Sequence, residues 1–176
     1  MRASVTLKKA EQRLEVAGIR MTAQRRLITE YLFVRLSHPS AEQLYEAIYA
    51  DYPKVVSITT IYNNMRVLRD LGLVKEFYIH HSGTTRYDTN VRPHHHLYCV
   101  QCGSIDDYTE SAPLQGRIGP GFQASGAYVE ISGTCQSCSY ASKLPYHVGY
   151  PKEEWRCKNK LQRYSIVKSP TGPSFT

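Results

Sequence analysis

Apolar residues return at helical intervals through the first seventy positions. Leu7, Ala10, Leu14 and Ala17 form a three-four-three stripe that ends at Gly18. Thr22 is placed to cap a second helix carrying Leu27, Ile28, Tyr31 and Leu32. Ser40 with Gln43 three positions later is a capping-box pattern, and it opens a third helix with Leu44, Ala47 and Ile48 inward and Pro53 near its end. Ser57 caps a fourth helix in which Ile58, Ile61, Met65 and Leu68 repeat the stripe, and Gly72 stands where a left-handed terminus is expected. The pattern then changes. Leu73 to Ile79 and Thr84 to Asp88 read as two strands around a turn at Ser82-Gly83.

Helices followed by a two-stranded hairpin are the element order of a winged helix-turn-helix. The face of the fourth helix opposite its stripe carries Thr59, Thr60, Tyr62, Asn63, Arg66 and Arg69, and Tyr62-Asn63-Asn64 is expected on the exposed side. Such residues can donate to phosphate, bond a base edge or touch a thymine methyl. The alternative is a small helical domain with an incidental hairpin. Val91-Arg92-Pro93 suits a short linker. Beyond it, His94 to Val100, Ile105 to Tyr108 and Tyr128 to Ser132 are strand candidates, whereas residues 115–121 hold too much Gly and Pro for a durable helix. Residues 145–176 are basic, lack periodicity and are expected to form a loosely ordered tail.

Composition narrows the class. Of 176 residues, 41% are hydrophobic and 21% charged, the balance of a globular chain. No apolar run approaches the roughly 18 residues of a membrane span, and Met1 to Lys9 lack the apolar stretch of a secretory signal. The expectation is a cytoplasmic protein with no membrane partner. The net charge is +7. Residues 1–92 and 145–176 are basic and the stretch between them is mildly acidic, which suggests two modules with different partners. A basic front half permits nucleic-acid binding, as it permits a merely solvated surface.

Four of the five cysteines form two pairs, Cys99-Val-Gln-Cys102 and Cys135-Gln-Ser-Cys138, and Cys157 stands alone. In a reducing compartment two such pairs suit a four-thiolate Zn²⁺ site, each sulfur about 2.3 Å from one tetrahedral ion. With 32 residues between the pairs, the ion would pin distant segments together. A redox pair is the competing reading. Beside the thiolates lie His94-His95-His96, with Asp88 upstream and Asp106-Asp107 downstream. On a strand His94 and His96 share one face and His95 takes the other. Imidazoles with carboxylates suit Mn²⁺, Fe²⁺ or Zn²⁺.

These segments together resemble the ferric-uptake-regulator (Fur) family of metal-dependent transcription factors, over about residues 5–140. The likeness rests on Gly18-Ile19-Arg20-Met21-Thr22-Ala23-Gln24-Arg25, Ser37-His38-Pro39-Ser40-Ala41, Thr60-Ile61-Tyr62-Asn63-Asn64, Gly72-Leu73-Val74 and Thr85-Arg86-Tyr87-Asp88. It continues through His94 to Gly103 and Gly133-Thr134-Cys135-Gln136-Ser137-Cys138. The resemblance implies an α+β chain: a winged-helix DNA-binding domain over 1–90, then a small α/β dimerisation domain over 94–144 with structural Zn²⁺ on Cys99, Cys102, Cys135 and Cys138. It also implies a regulatory Fe²⁺ or Mn²⁺ on His38, Asp88, His94, His96 and Asp107, tying the two domains together.

The implied activity is that of a homodimeric repressor on a palindromic, AT-rich double-stranded operator. Its contacts would come from Arg20, Thr60, Tyr62, Asn63 and Arg66. Aspartates at 88 and 107 are similar to the peroxide-sensing (PerR-like) branch, in which peroxide oxidises a ligand imidazole, here His38 or His94. An iron- or zinc-uptake regulator is the alternative on the same scaffold. The resemblance implies no enzyme; a metalloenzyme built on His94, His96 and Asp107 is the alternative from another class, although no nucleophile or acid/base motif accompanies those residues. Two departures stand out. The interval between the cysteine pairs lacks histidine, and the chain after about Tyr140 is unlike the family.

Overall fold

A computed structural model describes residues 6–109, 123 and 128–143. The Gly- and Pro-rich stretch at 115–121, the tail at 145–176 and Cys157 lie outside the described residues.

Four helices come first: α1 (Leu7–Val16), α2 (Ala23–Glu30), α3 (Ala41–Asp51) and α4 (Ile58–Asp70). The expected caps all form. Thr22 accepts from the Arg25 amide, Ser57 from the Thr60 amide, and Ser40 with Gln43 closes a reciprocal capping box. Thr6 caps α1 in the same way. Gly72 follows α4 at φ +64°, the conformation that lets a helix stop without a Cβ penalty. The second helix differs from its expected form. It ends at Glu30, and Tyr31–Arg35 continue as a π-helical turn, closed where the Leu36 amide donates to the Tyr31 carbonyl.

The apolar stripes meet in one core. Ala10, Leu14, Ile28, Leu32, Leu44, Ile48, Ile61, Met65 and Leu68 are all essentially inaccessible. The antiparallel hairpin of β1 (Lys75–Ile79) and β2 (Thr84–Asp88) extends from this helical unit as a wing. Helices α2 to α4 with the hairpin make a winged helix-turn-helix.

A second sheet holds β3 (His95–Cys99) between β4 (Ile105–Tyr108), antiparallel, and β5 (Glu130–Gly133), parallel. Helix α5 (Gln136–Lys143) follows. The architecture is α+β. The wing lies against this second sheet: Ile79 packs with Tyr98 and Ile105, Phe77 flanks them, and the His80 amide donates to Glu130 at 3.0 Å. That seam positions the site. Among the described residues, no helix is long and apolar enough to cross a membrane.

Candidate functional site

Five side chains converge at the seam between the helical unit and the second sheet. His38 comes from the loop before α3, Asp88 from the end of the wing, His94 and His96 from the entry to β3, and Asp107 from β4. His94 lies one residue ahead of β3, yet still shares the inward face with His96. His95 takes the other side and accepts the Val129 amide at 3.2 Å.

The approaches are close. His38 Nε2 is 2.8 Å from Asp107 Oδ1 and 3.6 Å from Asp88 Oδ1. His94 Nε2 is 2.9 Å from Asp88 Oδ2 and 2.9 Å from His96 Nε2. One donor atom from each residue falls within 4.8 Å of all the others. Buried His38 Nε2 and Asp88 Oδ2 nonetheless lack a well-aligned hydrogen bond. Buried polar atoms without such bonds are costly, so donors aimed at one another and not bonded call for a shared cation. The donor set fits a divalent ion of the Mn²⁺ or Fe²⁺ kind.

The surroundings aim each ring. A neutral imidazole offers one lone pair, and whatever holds Nδ1 decides whether Nε2 can ligate. His94 Nδ1 meets the Arg92 carbonyl at 2.8 Å, His38 Nδ1 the Ser37 hydroxyl at 2.9 Å, and His96 Nδ1 the Tyr128 hydroxyl at 3.1 Å. Asn90 serves both carboxylates: its amide N–H donates to Asp88 at 2.7 Å and its side chain to Asp107 at 2.9 Å. The adjoining His38 imidazole holds Asp107 well below the usual carboxylate range, against its partial burial, and Asn90 adds to the effect. Burial pushes His96 below the usual imidazole value, keeping it neutral and able to ligate. Burial likewise raises Tyr128 to about 12, so it stays a phenol.

His38 sits at φ +49°, a left-handed conformation uncommon away from glycine. It is held there from both sides. Arg86 donates to its carbonyl at 3.5 Å, and the Tyr87 amide donates to the Pro39 carbonyl at 2.9 Å. Strain of this kind persists where surrounding contacts over-determine it.

The four cysteines form a separate cluster at the far end of β3. Cys99 and Cys102 come from the turn between β3 and β4, Cys135 and Cys138 from the start of α5, with the four sulfurs within 4.8 Å of one another. Gly103, at φ +70°, lets its amide donate to the Cys99 carbonyl and wraps the turn around the Cys99 sulfur. Burial acts to raise the Cys99 thiol, but the backbone N–H groups of Cys135, Cys102 and Gln101 outweigh it and bring it to about 6. Burial and the neighbouring sulfurs push Cys138 upward. Four sulfurs at one point, one of them already biased to thiolate, fit a tetrahedral ion.

The expected nucleic-acid residues divide. Tyr62, Asn63 and Arg66 lie exposed on α4, and Thr60 is half-buried beside the cap, its hydroxyl 2.9 Å from that of Ser57. Arg20 is exposed in the loop between α1 and α2. Asn64 corrects the expectation: it is buried, accepts from Arg25 Nε at 2.8 Å and donates to the Thr60 carbonyl at 2.8 Å. One position past Asn63, the 100° helical step carries it round towards Ile61 and Met65. Arg69 is tied to Asp70 and to Glu76 of the wing.

Three contributors escaped sequence reasoning. Asn90, two positions past Asp88, was legible as an Asx turn. Phe77 and Tyr128 left no local sign, because what they touch is brought to them by the docking of the wing and of β5.

Residues 16–116 match the Ferric uptake regulator family. The peroxide operon regulator of Bacillus subtilis (strain 168) is 38% identical over 138 residues, covering 76% of this chain and 93% of that protein. The peroxide-responsive repressor PerR of Staphylococcus aureus (strain Mu50 / ATCC 700699) is 38% identical over 130 residues, covering 71% and 86%. A solved structure of a zinc-bound manganese uptake regulator superposes with a TM-score of 0.59 at 29% identity, covering 72% of this chain and 98% of that one. With the matched fold and both donor clusters in place, the chain belongs to the ferric uptake regulator family.

Proposed function

We propose that this chain is a metal-dependent, DNA-binding transcriptional repressor that responds to peroxide. It acts as a cytoplasmic homodimer on a palindromic, AT-rich operator. The names of the relatives at 38% identity, a peroxide operon regulator and a peroxide-responsive repressor, support the peroxide response. One observation carries the mechanism: His38, from the winged-helix unit, meets His94, His96 and Asp107 of the second sheet within bonding range of one ion.

Residues 1–90 form the DNA-binding domain and residues 94–144 the dimerisation domain. Cys99, Cys102, Cys135 and Cys138 hold Zn²⁺. His38, Asp88, His94, His96 and Asp107 hold Fe²⁺ or Mn²⁺. Bound Fe²⁺ supplies the one-electron chemistry by which peroxide oxidises a ligand imidazole. His38 reaches the second domain through its side chain, so its ligation favours the docked arrangement and its loss weakens that preference. In the docked dimer the two copies of α4 are spaced for successive major grooves, about 34 Å apart. Tyr62, Asn63 and Arg66 read the major groove, Thr60 contributes at the helix start and Arg20 meets the backbone or the minor groove.

Fluorescence anisotropy on an AT-rich palindromic duplex tests this. Binding is expected with Mn²⁺, lost with chelator and lost after Fe²⁺ plus peroxide; equal affinity in all three conditions overturns the switch. In the Mn²⁺ form, Arg66→Ala weakens binding by about 1–3 kcal/mol if it contacts a base. The likeness to a manganese uptake regulator supports a second reading, a metal-uptake regulator on the same scaffold. Metal-dependent binding that ignores peroxide would select it.

A further inference from the structure

Among the three site imidazoles, His96 is seated differently. His94 and His38 take their Nδ1 partners from one or two residues away, Arg92 and Ser37. The Nδ1 partner of His96 lies 32 positions along the chain, the Tyr128 hydroxyl at 3.1 Å. Its ring is stacked on Phe77 of the wing, centroids 4.0 Å apart and planes 17° from parallel. Phe77 also meets His38 edge-on at 5.8 Å. Phe77 fixes the plane of the ring and has no polar atom with which to choose its tautomer. The polar partner at Nδ1 is Tyr128.

The two kinds of Nδ1 partner behave differently. The carbonyl facing His94 can only accept, so it locks that ring with Nε2 bare. A phenol can accept from Nδ1–H when Nε2 is ligated, and can donate to Nδ1 when it is not. Either way the buried His96 ring keeps a partner. With the hydroxyl removed, the ligating tautomer would hold an unpartnered N–H in a residue 3% exposed.

Tyr128 is itself held by the strand it precedes. Glu130 pairs with His96 in the β3–β5 register, and the His96 amide donates to the Val129 carbonyl at 3.3 Å. At the other end of β5 the Val100 amide donates to the Gly133 carbonyl at 2.8 Å, and the Cys135 amide to the Cys99 sulfur at 3.3 Å. The cysteine cluster thus anchors the strand that presents Tyr128.

We infer that Tyr128 is a positioning residue for the regulatory ion: its hydroxyl gives the buried Nδ1–H of the ligating His96 tautomer a partner, and β5, fastened by the cysteine cluster, holds Tyr128 in place. The inference rests on the metal site proposed above. Tyr128→Phe in the full, zinc-loaded chain tests it. Tyr128 is 45% exposed, so removing one oxygen leaves the packing intact. Chelator competition should show Mn²⁺ affinity falling by about 10- to 100-fold, the usual effect of removing such a partner. The Co²⁺-loaded variant should show a shifted ligand-field absorption band, while zinc content and thermal midpoint without Mn²⁺ stay those of the unaltered chain. Unchanged Mn²⁺ affinity with an unchanged Co²⁺ spectrum overturns the role of Tyr128 and leaves the metal site standing. Failure of the unaltered chain to take up Mn²⁺ overturns both.

Discussion

The two donor clusters sit at opposite ends of β3 and differ in what they join. The cysteines are gathered from the end of β3 with its following turn and from the start of α5, and three backbone N–H groups already favour the Cys99 thiolate. Among the described residues, all four donors come from the second sheet and α5. The His/Asp cluster takes His38 and Asp88 from the winged-helix unit and His94, His96 and Asp107 from the second sheet. Its ligands are harder, and two of its buried atoms lack well-aligned hydrogen bonds. A closed thiolate site stabilises one unit. A site split across a seam has an affinity that depends on how the two units are placed, so occupancy and arrangement report on each other. The same strand carries thiol donors at one end and imidazole donors at the other.

The largest test of this contrast is Cys135→Ser. Structural zinc sites contribute on the order of 10 kcal/mol in small folds, so loss of one thiolate should release the ion and unfold the second sheet. Zinc analysis and proteolysis confined to residues beyond about 93 would check it; full zinc retention with a normal melt would erase the distinction. Next in size is His38→Ala, expected to lower Mn²⁺ affinity by at least about 100-fold, beyond what partners one layer out usually cost. Zinc content and secondary structure should not change. A fall in zinc content by elemental analysis would show that the clusters are not independent. The smallest effect is expected from Ser40→Ala, which removes the α3 cap two residues past His38 and costs about 1 kcal/mol of stability. A matching fall in Mn²⁺ affinity, by chelator competition, would locate part of the His38 geometry in that cap.

Local signals were strong where the physics is local. Caps at Thr22, Ser40 and Ser57, the stop at Gly72 and the hairpin turn were legible because each depends on residues three or four positions apart. The π-helical turn at Tyr31–Arg35 was not. Arg35 stacks over the Tyr31 ring, while the Tyr31 hydroxyl donates to Asp51 of α3, a partner 20 residues away. Asn64 was misplaced because a polar residue next to Asn63 looks exposed until Arg25 arrives to bond it.

Residue types and spacing by themselves determined which atoms could serve as ligands: paired thiolates at Cys-x-x-Cys spacing, and imidazoles alternating on a strand. They determined the helices and the wing for the same reason, since periodicity and capping act over one or two turns. Only the tertiary structure decided that Phe77 would cover His96, that Tyr128 would hold its far nitrogen, and that Asn90 would bridge the two aspartates. Those contacts depend on the pairing of β5 and β4 with β3 and on the docking of the wing against that sheet. Side chains such as His96 and Tyr128, 32 positions apart, meet there, and no short-range rule encodes that meeting.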